Sequence, residues 1–241
     1  MTANKLWYEE LLYKYNPFSI KPQLRTDLVS QTQTVQQIIS AVSDGKFIVV
    51  EGNLGAGKTT LLKRLVMRFG GTRRVVYLSC NRLTGPLDID RLLIERFGII
   101  SRTLGIKSRH MIVLLDEAHE LSEQDIKNLR TYHQDGYLHA VMLVTHDRRE
   151  LKLPSAVLLA LKDSSFVLHE LSPQDAITLI RSRIGKHPLL TDDVIVHIFN
   201  RDTRMRAFLK NCETFMRHMM AQKRKVAKPA DADKILDEHR Y

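Results

Sequence analysis

Only two cysteines, Cys80 and Cys212, occur among the 241 residues. They lie far apart and match no metal-ligand spacing, so neither a disulfide framework nor a cysteine-held metal organises this chain, and a reducing cytoplasm is the expected setting. Long apolar runs are missing as well. Stretches such as Met111–Leu115 are about strand length, far short of the ~20 residues a membrane-spanning helix needs. Glu9 and Glu10 interrupt the N-terminal apolar stretch and no small-residue cleavage site follows, which argues against a signal peptide. No membrane partner is expected.

Hydrophobic residues make up 44% and charged residues 27% of the chain, ordinary values that allow one substantial core, or a core domain with a small satellite. The net charge of +10 is not spread evenly: residues 201–228 hold nine Lys/Arg against two Asp/Glu. Such a segment suits a polyanion, and it also suits a solvated helix face on a basic protein.

Residues 4–15 predict a short helix ending before Asn16-Pro17, because the residue before proline disfavours the helical region. This leader, 1–17, is expected to pack on the domain that follows. Helices are predicted at Thr32–Val42, Lys58–Phe69, Asp88–Phe97 and Ser122–Tyr132, alternating with strands at Phe47–Glu51, Val75–Cys80, Met111–Leu115, Val141–Val144 and Phe166–Leu168. This alternation implies a parallel sheet with helices on both faces over 18–170. Beyond it the pattern turns wholly helical, over 171–241. Ser172-Pro173-Gln174-Asp175 opens a helix with an N-cap serine and proline at the first position. Thr191–Asn200 and Asp231–His239 are two more helices. Between them Phe208, Leu209, Cys212, Phe215, Met216, Met219 and Met220 line one face of a long amphipathic helix, a core stripe.

Chemistry concentrates at Gly52-Asn53-Leu54-Gly55-Ala56-Gly57-Lys58-Thr59, with Thr60 next in line. This matches the phosphate-binding loop G-x-x-x-x-G-K-[ST] and sits between a predicted strand and helix, as that loop requires. Its glycines let backbone N–H groups curl around phosphates, and the helix dipole adds positive potential. Lys58 is expected at the β/γ oxygens and the Thr59 hydroxyl on Mg²⁺. The apolar strand Met111–Leu115 then delivers two acids: Asp116 to hold Mg²⁺ and Glu117 to orient the attacking water. Asp116-Glu117-Ala118-His119 also spells a helicase-type motif, but such helicases need two RecA-like domains and this length holds one.

With both motifs in place, the chain resembles AAA+ ATPases of the general-secretion A-type, transposition-regulator and origin-initiator families. The matching stretches are Asn16-Pro17-Phe18, Val75-Val76-Tyr77-Leu78, Leu114 through Leu121, Leu143-Val144-Thr145-His146-Asp147 and Leu171-Ser172-Pro173-Gln174-Asp175. The resemblance implies ATP and Mg²⁺ as cofactors, ATP hydrolysis, a helical lid, and ATP-dependent assembly with further copies of the chain. It places Pro17 and Phe18 at the nucleotide and sensor 1 at Thr145 or His146. Sensor 2 is Arg204 by the Asp-x-Arg match, or Arg206 if the phase of the following helix decides. Leu151–Ile180 contains no arginine, so Arg148 and Arg149 are the nearest arginine-finger candidates. Residues 98–110 are short where relatives have another helix. Two functions follow. One is a nucleotide-dependent switch on DNA, with Arg201, Arg206, Lys210, Arg217, Lys223, Arg224, Lys225 and Lys228 meeting phosphates. The other is a scaffold or secretion-associated ATPase that recruits an unidentified protein without nucleic acid.

Overall fold

The computed structural model describes residues 6–19, 32–70, 75–95, 109–161 and 164–238. The expectation for 98–110 falls almost wholly outside them, as does His239. Two compact units emerge: Gln31–His169, and Glu170–Tyr241 together with Met1–Ser30.

The first unit is built on five parallel strands, β1 (Phe47–Gly52), β2 (Val75–Ser79), β3 (Met111–Asp116), β4 (Leu138–Thr145) and β5 (Ser165–Leu168), in the order β2-β3-β4-β1-β5. Each strand extends beyond the apolar pattern that announced it, except β2, where Cys80 opens a 3₁₀ turn. Every residue of β3 is buried, the signature of a strand covered on both faces. Phe47, Val49, Val113, Leu115, Val141 and Leu143 point to one face. There they meet Leu93 of α4 (Ile89–Glu95), Ile126 and Leu129 of α5 (Glu123–Gln134), and Val157 of α6 (Ser155–Ala160). Residues one position along each strand face the other way, where α2 (Thr32–Ser43) lies against β1, β4 and β5 and α3 (Lys58–Phe69) against β2.

Local chemistry sets the element ends. Ser122 caps α5 in a reciprocal box with Asp125, and the second Asp125 oxygen accepts from the Leu87 amide at 3.0 Å. One carboxylate therefore ties α5 to the segment leading into α4. Gly45, between α2 and β1, has φ +73°, and a Cβ there would lie 2.9 Å from the His139 carbonyl and 2.9 Å from its ring.

The second unit holds α7 (Pro173–Ile184), α8 (Asp192–Arg201), α9 (Met205–Ala221) and α10 (Pro229–Glu238), with the short α1 (Trp7–Glu10). Ser172 caps α7 through Asp175, with Pro173 at the first position, as the sequence predicts. The stripe on α9 is buried from Phe208 to Met219 among residues of α7, α8 and α10.

The N-terminal segment requires a correction. Trp7, Leu11 and Tyr13 pack on the helical core rather than on the sheet, and Phe18, 1% exposed, is a member of that core. Hydrogen bonds secure the join. Tyr13 donates to the Ile184 carbonyl at 3.0 Å, Asn16 to Glu213 at 2.8 Å, and Arg183 to the Pro17 carbonyl at 2.9 Å. Asn16-Pro17-Phe18 is a structural staple.

Gly45→Ala is expected to destabilise the sheet unit by roughly 1–3 kcal/mol, since it combines a positive φ with a close approach to backbone. Denaturant unfolding with an unchanged midpoint would show that the turn yields freely.

Candidate nucleotide site

β1 ends at Gly52, and α3 begins at Lys58. Between them Gly55 and Gly57 both have φ +93°, the backbone freedom that turns successive amides inward. Leu54 stands 73% exposed at the loop tip, while Ala56 is buried beneath. The Lys58 side chain is only 8% exposed. Its ammonium donates to the Gly52 carbonyl at 2.6 Å, the Asn53 carbonyl at 3.1 Å and His146 Nδ1 at 3.1 Å. Three protons thus meet three acceptors. Because an ammonium only donates, His146 Nδ1 must be the acceptor, and its hydrogen sits on Nε2, which lies 3.6 Å from Glu117 Oε2.

This arrangement separates the two sensor 1 candidates. Thr145 is fully buried and its hydroxyl turns to the Asp147 carbonyl at 3.2 Å. His146 reaches both Lys58 and Glu117. Thr59 lies exposed beside Lys58.

β3 places Asp116 at its last position, 7% exposed. The Glu117 amide donates to one Asp116 oxygen at 3.1 Å and the Tyr77 hydroxyl to the other at 3.4 Å. Glu117 itself adopts a left-handed backbone, φ 53° and ψ 45°, which costs a non-glycine residue of order 1 kcal/mol and recurs at functional sites. Two imidazoles approach its carboxylate, His146 and His119, each at 3.6 Å. Sequence reasoning assigned no role to His119 or Tyr77. His119 stood in the Asp116–His119 motif, and Tyr77 lies on the strand paired with β3 through Ser79 and Asp116; neither signal says which way a side chain turns.

Burial and charge oppose each other here. Burial pushes Lys58 below its ordinary range, and Glu117 and Asp116 pull it back up. Burial raises Asp116, Glu117 raises it further, and the hydrogen bonds from Glu117 N and Tyr77 offset part of this. The Cys80 thiol, buried near the same acids, is pushed up to about 12, a thiol that stays protonated at neutral pH.

A loop with two left-handed glycines, a lysine, an exposed threonine and a buried carboxylate form a donor set suited to a triphosphate with a hard, oxygen-seeking cation. They define a P-loop nucleotide-binding domain. Residues 40–151 match the family model described as AAA domain. No curated protein matches the chain by sequence. Among solved structures it is similar to Cdc6p from Pyrobaculum aerophilum, at 16% identity and TM-score 0.67, over 92% of this chain and 70% of that one. It is similar also to the Aeropyrum pernix ORC1 protein in complex with DNA, at 12% identity and TM-score 0.67, over 93% and 69%. Drosophila ORC bound to DNA matches at 12% and TM-score 0.64, where the chain spans 64% of its counterpart. Residues 40–151 match the AAA domain family model, and the chain has the AAA+ P-loop fold that the origin-initiator structures share.

Other expected site residues fall differently. Phe18 is core and Pro17 is buried beside it, so neither offers a face to a base. Arg201 is taken by Asp233 and Asp237, which corrects its assignment to nucleic acid: it joins α8 to α10. Arg204 pairs with Asp202 through two hydrogen bonds, at 2.9 and 2.5 Å, and Arg224 reaches Asp231 at 3.4 Å. Arg206, Lys210, Arg217, Lys223, Lys225 and Lys228 are exposed and carry no ion pair among the described residues. Of the finger candidates, Arg149 is engaged by Asp147 at 2.6 Å, whereas Arg148 donates its backbone amide to Glu51 at 3.4 Å and its guanidinium has no ion pair among the described residues.

The folded protein holds the Asp116 proton more tightly than the unfolded chain does, so this group's contribution to stability is present at low pH and lost as pH rises through its raised pKa. At neutral pH Asp116→Asn is accordingly expected to raise the Tm of the nucleotide-free protein by a few degrees while weakening Mg²⁺-dependent stabilisation. An unchanged or lower Tm in calorimetry would contradict that account of the buried acid.

Proposed function

We propose that this chain binds and hydrolyses ATP with Mg²⁺ and acts on DNA as a nucleotide-dependent switch, assembling with further copies of itself when ATP is bound. The single observation behind the hydrolytic part is the Lys58–His146–Glu117 chain. One histidine bonds the phosphate-facing lysine and lies beside the acid suited to orient water. When bound, ATP and Mg²⁺ supply the electrophilic phosphorus and the charge that neutralises its oxygens. Lys58 then exchanges its carbonyl and imidazole acceptors for phosphate oxygens, and Thr59 and Asp116 offer the cation an oxygen each. Glu117, with His146 and His119 against it, is positioned to accept a proton from water. Catalysis of phosphoryl transfer is mostly such positioning and charge neutralisation. Arg148, free of the carboxylate that holds Arg149, is the better candidate to act on a neighbouring copy's γ-phosphate. The resemblance assigns the sensor 2 role to Arg204 or Arg206.

The DNA part is supported by the basic balance of 201–228, by the unpaired cations of α9 and the segment after it, and by the fold shared with ORC1 and ORC structures that hold DNA.

Lys58→Ala should abolish the thermal shift that ATP produces. Glu117→Gln should keep that shift and lose turnover; hydrolysis surviving in it means another group positions the water. Joint reversal of Lys223, Lys225 and Lys228 to Glu should cut duplex-DNA affinity and flatten its salt dependence, because each phosphate left without its cation removes about one unit of slope. ATP turnover with and without duplex DNA completes the test: no binding at low salt and no effect on turnover would leave a protein-recruiting ATPase.

A further inference from the structure

Away from the phosphate loop, the helical unit carries a cleft of about 680 Å³ between α1 and the C-terminal half of α9. Trp7 and Glu10 form one wall, and Thr214, Arg217, His218 and Lys223 are on the other. Trp7 is the chain's only tryptophan. Its indole is half-buried and lies nearly parallel to the Phe18 ring, 11° between planes at 5.9 Å; this fixes its orientation at the cleft.

The basic wall belongs to a longer pattern. Arg206, Lys210 and Arg217 recur at spacings of four and seven, which keeps them on one side of α9 along about 16 Å. Glu213 lies between them but is half-buried and accepts from Asn16. At the helix end Lys223 takes a left-handed conformation, φ 52°, and its amide and that of Arg224 bond back to Met220 and Met219. The chain turns there, so Lys223 comes to line the cleft instead of continuing the helix. A row of cations therefore leads into a concave site with an oriented aromatic ring.

We propose that this cleft holds an unstacked base of single-stranded nucleic acid, with its base against Trp7 and the adjoining phosphates on Arg217 and Lys223. Aromatic platforms beside a cationic track are how single strands are held without sequence preference, and duplex bases, stacked inward, cannot enter such a cleft. Glu10 and Thr214 supply polar groups for a base edge. Repeated cations along α9 match a backbone with a charge on every unit better than an acidic peptide. The proposal rests on the reading of the chain as a nucleic-acid-associated ATPase, and it adds the strand state and the residues that recognise it.

Trp7 reports directly on its own site. Oligothymidylate added to the full chain should quench Trp7 emission, with a duplex of equal length doing so weakly. Arg217→Glu, at an exposed position, should weaken oligothymidylate binding about ten-fold or more, measured by anisotropy of a labelled strand. Trp7→Ala should do the same and Trp7→Phe should largely restore it. Binding that leaves Trp7 emission and the Arg217→Glu affinity unchanged overturns the cleft assignment while leaving DNA binding intact. Absence of binding by either single strand or duplex overturns both readings. Polyglutamate that quenches as strongly as oligothymidylate makes the cleft a peptide site and overturns the proposal.

Discussion

β1 pairs in parallel with β4 from Phe47 opposite Val141 to Glu51 opposite Thr145, and that alignment decides which residues meet beyond the strand ends. A parallel pair must end together on one edge of the sheet, so the loop after β1 and the residue after β4 become neighbours. His146 arrives beside Lys58 for this reason. β3, paired with the other side of β4, brings Asp116 and Glu117 to the same edge. A shift of β4 by one residue would turn Thr145 outward and His146 into the core. The site is thus a property of register first and of side-chain chemistry second.

That edge concentrates unlike charges under cover. A lysine and an aspartate, each less than a tenth exposed, are both penalised by burial, and each lowers part of the other's penalty. For each of them burial outweighs the support that the other gives. Under the proposed function a triphosphate and its cation would add opposite charge to both, offsetting part of the burial cost of each group. His146 mediates by accepting from the cation on one side and facing the acid on the other.

How far each feature could be read from the sequence depends on the separation of the residues that make it. The loop Gly52–Thr59, the strand running into Asp116-Glu117 and the capping boxes at Ser122 and Ser172 were all legible, since each is written in residues a few positions apart. That His146 and not Thr145 turns to Lys58 was not, because successive residues at a strand end face opposite ways and only the sheet says which way is in. Phe18 read as a nucleotide neighbour by resemblance, yet the helical core it joins is built from residues at the far end of the chain, from Ala176 onward. Arg201 looked like a surface cation because Asp233 and Asp237, its partners, come from a helix whose packing no local pattern announces. The cleft beside Trp7 was invisible for the same reason.

β3 carries a liability of another kind. Met111–Leu115 is an uninterrupted, proline-free, β-prone segment that is wholly covered once folded, and on the ribosome or in a partly unfolded chain it is a stretch apt to stack on its own copies. Charges at both ends oppose this: Arg109 ahead of it, and Asp116 and Glu117 immediately after. The two acids assigned to cation and water are also gatekeepers against aggregation. Under the proposed function this pair would matter twice, through turnover and through solubility during synthesis, and a charge at that strand end would help the folding chain even without hydrolysis.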